Sequence, residues 1–327
     1  PARTGYVNQG WSSKKNSEKA TAKAKCTVNK NITLYAVQKK AVQLTFHRCD
    51  GSTWQKTTLA KGSSYSLPGV RDAEGYTFMG WSTKPMQSVS PQYEAEEKIT
   101  VNGNVDLYAV VFNRTTETDL TEDQLPQVDI YKYKQVIFVG DSRTEFMENV
   151  LTGMGESATK NVKFVCSAGK GLDWFTTTGW AQLYSIVQHD SNSILSKKTA
   201  VIFNFGVNDL SKSADYAEYY NWIAPQLKSK GCELYFMSVN PVNRLMLPNA
   251  GRSDRSEAAV RSFNQYMKAN LSSAYTYIDM YSYLKSTGYS FASDHYGTGT
   301  VDDGLHYTTR TYKRIFAKCM DSLRVPA

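Results

Sequence analysis

After residue 132 the chain alternates between short apolar runs and longer amphipathic stretches. Aliphatic and aromatic residues dominate five runs of strand length, at 135–139, 162–166, 199–205, 233–239 and 275–279. Amphipathic patterns typical of helices lie between and after them, near 143–151, 174–189, 214–230, 254–271 and 308–322. Regular alternation of this kind predicts a parallel sheet with helices on both faces. The sequence therefore predicts an α/β domain over residues 132–327.

The first 112 residues contain two related copies of one pattern instead. The sequence Gly-Tyr-x-x-x-Gly-Trp-Ser begins at Gly5 and begins again at Gly75. A Leu-Tyr-Ala-Val sequence follows later in both copies. Short strand-like runs separated by turn residues predict small β-rich modules. We expect a partial copy at 1–40, truncated at its start, and a complete β-rich domain at 41–113.

A polar segment, residues 114–131, separates the repeat region from the predicted α/β domain. Thr, Asp, Glu and Gln dominate its composition, and it shows no sustained helical or strand periodicity. Both features are typical of a connecting segment. We therefore interpret this stretch as the linker between the two regions.

Three polar motifs lie beside elements of the predicted α/β domain. Ser142 ends a Gly-Asp-Ser sequence directly after the first predicted strand, and Asn208 lies in a Gly-Val-Asn-Asp sequence after the third. Asp303 and His306 form an Asp-x-x-His motif before the last predicted helix. We expect these motifs to meet at the carboxyl edge of the sheet, where α/β proteins place their sites. Together they provide a nucleophile, an amide donor and a base with its orienter, the groups that acyl transfer requires.

The residue types predict a role for each position. A serine hydroxyl becomes a good nucleophile only when a neighbouring base removes its proton, and His306 is the candidate base. Asp303 would hold the imidazole in one tautomer and stabilise the imidazolium ion. The Gly-x-Ser-x-Gly sequence of the α/β-hydrolase nucleophile elbow is absent around Ser142, which argues against that fold.

In their order and context these motifs resemble those of the SGNH, or GDSL-like, hydrolase family, over roughly residues 132–322. The resemblance implies a three-layer, flavodoxin-like α/β hydrolase domain with a parallel sheet, preceded here by the small β-rich repeat domains. It also implies a catalytic triad of Ser142, His306 and Asp303. Ester hydrolysis through a covalent acyl-serine intermediate is the activity that this triad would perform.

The resemblance further implies an oxyanion hole. The backbone N–H of Ser142 and the side-chain amide of Asn208 would supply two of its donors. The family's second block supplies a glycine N–H, which is Gly171 or Gly169 in this sequence, with Gly171 preferred. A glycine suits this role because the backbone must approach the substrate closely. The Asn that usually precedes the glycine in the family is absent here.

Several residues near the motifs are candidates for substrate binding. Arg143 follows the predicted nucleophile and would meet an anionic group on the substrate or pair with an acidic neighbour. Trp174 would stack on a sugar ring, or would pack in the core. The remaining candidates are Asn240 after the fourth strand, His295 in the loop before the Asp-x-x-His motif, and Gly169.

Composition narrows the choice of partners and cofactors. The formal net charge is +8 and the isoelectric point about 9.0, which suits binding to an anionic polymer such as cell-wall polysaccharide. A basic protein without such a partner fits the same numbers. No nucleic-acid-binding module is recognisable, so we expect no nucleic-acid partner. The Cys-x-x-Cys and His-Glu-x-x-His patterns are absent, so we expect no metal site, and nothing indicates a cofactor.

The five cysteines are odd in number and widely spaced, so they do not predict a disulfide framework. No apolar run approaches the length of a transmembrane helix, and no signal peptide is visible. Because the sequence begins at Pro1 rather than Met, we expect a mature or trimmed chain whose leader cannot be judged.

The repeat pattern resembles the internalin B-repeat family of secreted and surface proteins. This resemblance implies an extracellular or cell-surface location, with possible association of the repeats with the cell wall. The combined expectation is a secreted serine esterase that removes O-acyl groups, O-acetyl above all, from carbohydrate or cell-wall polysaccharide. Two alternatives stay open: an O-acyltransferase that uses the same triad, and a surface adhesin in which the hydrolase domain serves only as a binding scaffold.

Overall fold

The structure is a computed structural model, which describes residues 3–21, 29–129, 132–190, 198–247, 255–293 and 302–323. The chain divides into two compact units. The first unit comprises Pro1–Pro68, Gly80–Gln87 and Pro91–Val110. The second comprises Gly69–Met79, Ser88–Ser90 and Val111–Ala327, and it contains all three motifs.

Seven strands lie in the described part of the N-terminal region. They are β1 Tyr6–Ser12, β2 Tyr35–His47, β3 Thr53–Ala60, β4 Ser63–Ser66, β5 Tyr76–Ser82, β6 Lys98–Val101 and β7 Val105–Asn113. Five of them form one sheet in the order β1-β2-β7-β5, with β3 also paired to β2. The long strand β2 runs antiparallel to β1 through its first half, and its second half pairs antiparallel with β3 and parallel with β7. Strands β4 and β6 form a separate antiparallel pair.

The repeated Gly-Trp-Ser sequence has a structural explanation in the first unit. Trp81 is fully buried, and its ring contacts Phe46 edge-on at a centroid distance of 4.8 Å. Gly80 has a φ of +140°, and a Cβ there would lie 2.5 Å from the carbonyl oxygen of Tyr93. Only glycine fits this close approach of two backbones. The second copy of the Gly-Trp-Ser sequence therefore contributes directly to the core of this unit.

The described part of the second unit contains seven further strands and seven α-helices. The strands are β8 Tyr133–Gly140, β9 Val162–Cys166, β10 Lys198–Asn204, β11 Cys232–Met237, β12 Tyr275–Ile278, β13 Phe291–Ser293 and β14 Asp302–Tyr307. The helices are α1 Ser142–Met154, α2 Leu172–Trp174, α3 Trp180–Asp190, α4 Ser213–Ser229, α5 Glu257–Asn270, α6 Met280–Thr287 and α7 Thr309–Ser322. A short π-helical segment, Phe175–Gly179, joins α2 to α3.

Strands β8 to β12 form the main sheet, in the order β12-β11-β10-β8-β9, and all neighbours are parallel. This is the strand order of flavodoxin-like folds. Phe203 and Phe236 pack in one core cluster together with side chains of α3, α4 and α5. Phe138 packs against Phe316 of α7, which lies on the other face. The predicted three-layer α/β fold with a parallel sheet is therefore confirmed.

The predicted linker is packed within the second unit. The buried carboxylate of Glu117 lies 2.9 Å from the guanidinium of Arg314 on α7 and also accepts the hydroxyl of Thr311. Leu125 and Val128 are buried as well. Buried ion pairs of this kind need several hydrogen bonds to offset desolvation, and Glu117 has them. Residues 114–129 are thus held firmly against the unit that carries the motifs.

Candidate active site

Ser142 occupies the junction between β8 and α1. The strand ends at Gly140, Asp141 caps the helix by accepting the backbone N–H of Arg143 at 3.0 Å, and Ser142 is the first helical residue. A Cβ at Gly140 would lie 1.9 Å from the hydroxyl oxygen of Thr144, so the tight turn requires glycine. The N–H groups of a helix start carry partial positive charge, so the position of Ser142 favours a neighbouring negative charge.

The hydroxyl of Ser142 belongs to a hydrogen-bonded relay. Its Oγ lies 2.9 Å from Nε2 of His306, and Nδ1 of the same ring lies 2.5 Å from Oδ2 of Asp303. Asp303 also accepts the backbone N–H groups of Leu305 and His306 through its other oxygen, at 2.8 and 2.7 Å. Because Asp303 accepts the hydrogen bond that Nδ1–H donates, the proton of the neutral ring stays on Nδ1, and Nε2 is left to accept the serine proton. This geometry is the one that activates serine nucleophiles.

The relay is shielded from water. The side chains of His306 and Asp303 are 1% and 4% exposed. Phe146, one turn after Ser142 on α1, contacts the imidazole edge-on at a centroid distance of 4.5 Å. Charges interact more strongly away from water, so the carboxylate of Asp303 would strongly stabilise an ionised imidazole at His306.

Arg143 holds backbone rather than offering its charge to the cleft. The side chain is buried, and the guanidinium donates to the carbonyl oxygens of Leu305 at 3.0 Å, Asn240 at 3.0 Å and Pro241 at 2.9 Å. These bonds fasten β14 and the loop after β11 to the start of α1. The geometry therefore supports a positioning role for Arg143, where the sequence had suggested a substrate contact or a pair with an acidic neighbour.

Asn208 lies in the loop after β10, with its amide orientation fixed by two partners. Its Oδ1 accepts the guanidinium of Arg255 at 2.5 Å, and its Nδ2 donates to the carbonyl of Lys170 at 2.7 Å. Arg255 can only donate, so the atom that faces it must be the oxygen. The bond to Lys170 uses one of the two hydrogens on Nδ2. Sequence reasoning missed Arg255, which also donates to the carbonyl of Val207 at 2.9 Å.

The two candidate oxyanion glycines differ in their surroundings. Gly171 precedes α2, and a Cβ there would lie 2.3 Å from a carboxylate oxygen of Asp209, so this position has no room for a side chain. Gly169 has a φ of +70° and open space around the position of a Cβ. Gly171 is thus the glycine of the two at which the chain closely approaches a neighbouring segment.

Asp209 was also missed as a site residue, although it ends the Gly-Val-Asn-Asp sequence. Its carboxylate accepts the backbone N–H of Leu172 at 2.9 Å and the hydroxyl of Tyr216 at 2.8 Å. Burial raises the pKa of Asp209, while these two hydrogen bonds act in the opposite direction. The carboxylate ties the loop that holds Gly171 to the loop that holds Asn208.

The other predicted substrate contacts are distributed as follows. Trp174 is half-buried and lies 6.0 Å from the ring of Phe205, packed against the core. Asn240 is 1% exposed, and its Oδ1 has no hydrogen-bond partner among the residues that the structure describes. His295 lies outside the described residues. Among the described residues, no group of three His, Cys, Asp or Glu side chains is placed to hold a metal ion.

The buried carboxyl of Asp141 should make the free energy of unfolding depend on pH. Burial raises the pKa of Asp141 to about 6, and the charge of Arg143 opposes the rise. An unfolded Asp ionises near pH 4, so this group makes the folded state less stable as pH rises from about 4 to 6. Asp141→Asn keeps a cap acceptor and removes this ionisation. We expect the variant to gain about 3 kcal/mol in the free energy of unfolding, relative to wild type, between pH 4 and pH 7.

Urea unfolding of both proteins at the two pH values measures this difference. Asp123→Asn, at an exposed position, is the control and should show no such gain. Parallel changes in wild type and Asp141→Asn would show that the buried carboxyl does not titrate in this range.

Two family models match this chain, one over the N-terminal repeats and one over the α/β domain. The family model described as GDSL-like Lipase/Acylhydrolase matches residues 136–319, more than half of the chain. A Listeria-Bacteroides repeat domain model matches residues 1–37 and 43–110, so the N-terminal copies are repeats of this type, and the internalin B-repeat name was not the matching one. A search among curated proteins found no significant match.

Solved structures with a similar fold share little sequence with this chain. A protein of Bacteroides fragilis assigned as an acylhydrolase is 16% identical, with a TM-score of 0.41 over 62% of this chain and 92% of that one. The catalytic domain of peptidoglycan O-acetyltransferase A from Streptococcus pneumoniae is 15% identical, with a TM-score of 0.36 over 58% and 92%. A member of the lipolytic G-D-S-L family from Veillonella parvula is 18% identical, with a TM-score of 0.35 over 58% and 97%.

None of the described helices combines the length and the apolar character that crossing a bilayer requires. The fold and the match of the family model lead to one conclusion. The chain belongs to the GDSL-like lipase/acylhydrolase family and is an ester hydrolase, with Listeria-Bacteroides repeats before the hydrolase domain.

Proposed function

We propose that this protein is a secreted serine esterase that hydrolyses O-acyl esters of carbohydrate or cell-wall polysaccharide, with O-acetyl groups as the main substrate. The observation that carries the proposal is the buried relay from Ser142 through His306 to Asp303, at 2.9 and 2.5 Å. A relay of this kind converts an ordinary hydroxyl into a nucleophile for carbonyl carbon.

In the first step the hydroxyl oxygen of Ser142 attacks the acyl carbon, and Nε2 of His306 takes the hydroxyl proton. The new C–O bond forms as the carbonyl π pair moves onto its oxygen. Asp303 stabilises the imidazolium that results. The backbone N–H groups of Ser142 and Gly171, together with Nδ2 of Asn208, donate to the oxyanion.

In the second step the oxyanion restores the carbonyl, and the bond to the sugar oxygen breaks. The imidazolium of His306 returns its proton to the leaving sugar oxygen, which departs as an alcohol. Water then attacks the acyl group on Ser142 and loses a proton to the same imidazole. The proton returns to the serine oxygen when the acid is released, so the enzyme ends the cycle unchanged.

The proposed substrate class rests on the net charge of the chain and on its N-terminal repeats. A net charge of +8 favours encounter with anionic polymers through long-range attraction. The N-terminal repeats would hold the hydrolase near such a surface. If an acceptor sugar takes the place of water, the same cycle becomes acyl transfer. Hydrolysis and transfer are therefore distinguished by measuring both products.

Labelling with a fluorophosphonate probe tests the chemistry, because the probe traps a nucleophilic serine. We expect the adduct on Ser142, no labelling of Ser142→Ala, and normal labelling of Ser229→Ala at an exposed helix end. Acetate release from O-acetylated xylan, O-acetylated chitin oligomers and O-acetylated peptidoglycan then identifies the substrate. An adduct on another serine would contradict the nucleophile, and transfer to added sugar exceeding acetate release would replace esterase by transferase.

A further inference from the structure

The turn that carries Asp303 and His306 rests on the loop 243–246. The carbonyl oxygen of Gly304 accepts the backbone N–H of Asn243 at 2.8 Å. Gly304 has a φ of +66°, and a Cβ there would lie 2.4 Å from the carbonyl oxygen of Asn243 and 2.7 Å from Cβ of Met246. Because the packing is this close, the Gly304 turn cannot shift unless the loop 243–246 shifts with it.

The loop 243–246 is held in turn by residues 69–72 of the same compact unit. The side-chain amide of Asn243 donates to the carbonyl oxygen of Val70 at 3.0 Å and to Oδ1 of Asp72 at 2.9 Å. The guanidinium of Arg71 donates to the carbonyl oxygen of Leu245. Residues 69–72 lie inside the stretch that matches the repeat model, yet they belong to the compact unit that contains the hydrolase motifs.

Asp72 is itself firmly held. Its side chain is fully buried, and Oδ2 lies 2.8 Å from the guanidinium of Arg114. Oδ1 accepts the backbone N–H of Phe78 at 3.0 Å, besides the amide of Asn243. Arg114 is oriented by a second bond, from Nε to the hydroxyl of Thr77 at 2.9 Å. A buried carboxylate with this many donors is a rigid anchor, since hydrogen bonds to charged groups are the stronger ones.

We propose that Asp72 is a positioning residue for ester hydrolysis: through Asn243 it holds the Gly304 turn, and thereby His306, in hydrogen-bond distance of Ser142. This inference rests on the proposed function, because it assumes that His306 is the base. It makes the second repeat a working part of the hydrolase, in addition to any role at a surface. Misplacement of a reacting group by about 1 Å can cost about 10²-fold in rate.

The first test compares Asp72→Ala and Asn243→Ala with wild type on a small soluble acetate ester. Both variants should lower kcat by about 10- to 100-fold and change KM by less than about two-fold. Asp72→Asn keeps an acceptor oxygen for Asn243 and should recover part of the lost rate. Asp106→Ala is the matched control in the repeat, because its carboxylate is 60% exposed and pairs with His47. This control should leave kcat unchanged.

The double variant separates positioning from general loss of stability. If Asp72 acts through Asn243, the double variant should be no slower than the slower single variant, since both changes break one connection. All rates are taken per folded molecule, from melting curves on the same preparations. If Asp72→Ala fails to fold, the kcat values of Asn243→Ala and Asp72→Asn test the positioning role on their own. Two results would overturn the inference. One is a wild-type kcat per folded molecule in Asn243→Ala. The other is a reduction of kcat in the double variant equal to the product of the two single reductions.

Failure of the proposed function gives a different result. In that case wild type itself would show no ester turnover and no fluorophosphonate adduct on Ser142. If wild type is active and labelled, and the Asp72 and Asn243 variants are equally fast, only the positioning role falls.

Discussion

Replacing Ser142 with Ala is expected to lower kcat for any ester substrate by about 10⁴-fold or more while the fold stays intact. The hydroxyl oxygen of Ser142 is the atom that forms the acyl intermediate, so its loss removes this covalent route. Ser142 is 4% exposed and begins α1 rather than filling the core, so alanine should fit without a cavity of consequence. Steady-state kinetics on p-nitrophenyl acetate, with melting curves on the same samples, measures both quantities.

His306→Gln should lose a comparable factor, and the double variant should be hardly slower than either single variant, because residues of one relay act as a unit. Ser229→Ala serves as the control for serine removal and should keep the parental rate. If Ser142→Ala keeps most of the wild-type turnover, the nucleophile has been assigned to the wrong residue.

Asn208→Ala is expected to lower kcat by about 10²- to 10³-fold with little change in KM. An amide donor directed at the developing oxyanion binds more strongly as the carbonyl carbon becomes tetrahedral, so its contribution appears in the chemical step. Arg255 strengthens the expectation, because its guanidinium at 2.5 Å orients and polarises the amide of Asn208. Arg255→Gln should therefore reproduce part of the loss.

The alternative is that Asn208 only stabilises the loop after β10 through its bond to Lys170. In that case Asn208→Ala would melt at a lower temperature and keep its rate per folded molecule. Asn221→Ala is the matched control, since the side chain of Asn221 donates to the carbonyl of Asn270 and accepts the N–H of Ser272, away from the motifs. It should lose stability without losing kcat. An unchanged kcat in Asn208→Ala would remove this residue from the site.

The parallel sheet could be predicted because each buried strand is a continuous apolar run. The runs 135–139 and 199–205 correspond to β8 and β10, with boundaries shifted by one or two residues. Helix α6 and the antiparallel pair β13–β14 were not predicted. Strand β14 reads Asp-Asp-Gly-Leu-His-Tyr, a polar sequence with turn residues, and only its pairing with β13 makes it a strand.

The nature of the site could also be predicted, since residue type and order limit what Ser142, Asn208 and the Asp-x-x-His motif can do. The structure brings Ser142 and His306 into hydrogen-bond distance across 164 residues of chain, as the motifs required. Their catalytic roles stay predictions until the variants above are measured.

The sequence by itself determined the α/β order, the repeats and the candidate relay, because strand periodicity and motif chemistry are local properties. Only the tertiary structure decided what holds the relay in place. Arg143 donates to three backbone carbonyls, and Asp72 reaches Asn243 from 171 residues away. Carbonyl acceptors occur at every residue and leave no pattern in a sequence. Contacts between remote segments follow from the packed fold, which is why the supporting residues of this site became visible only in three dimensions.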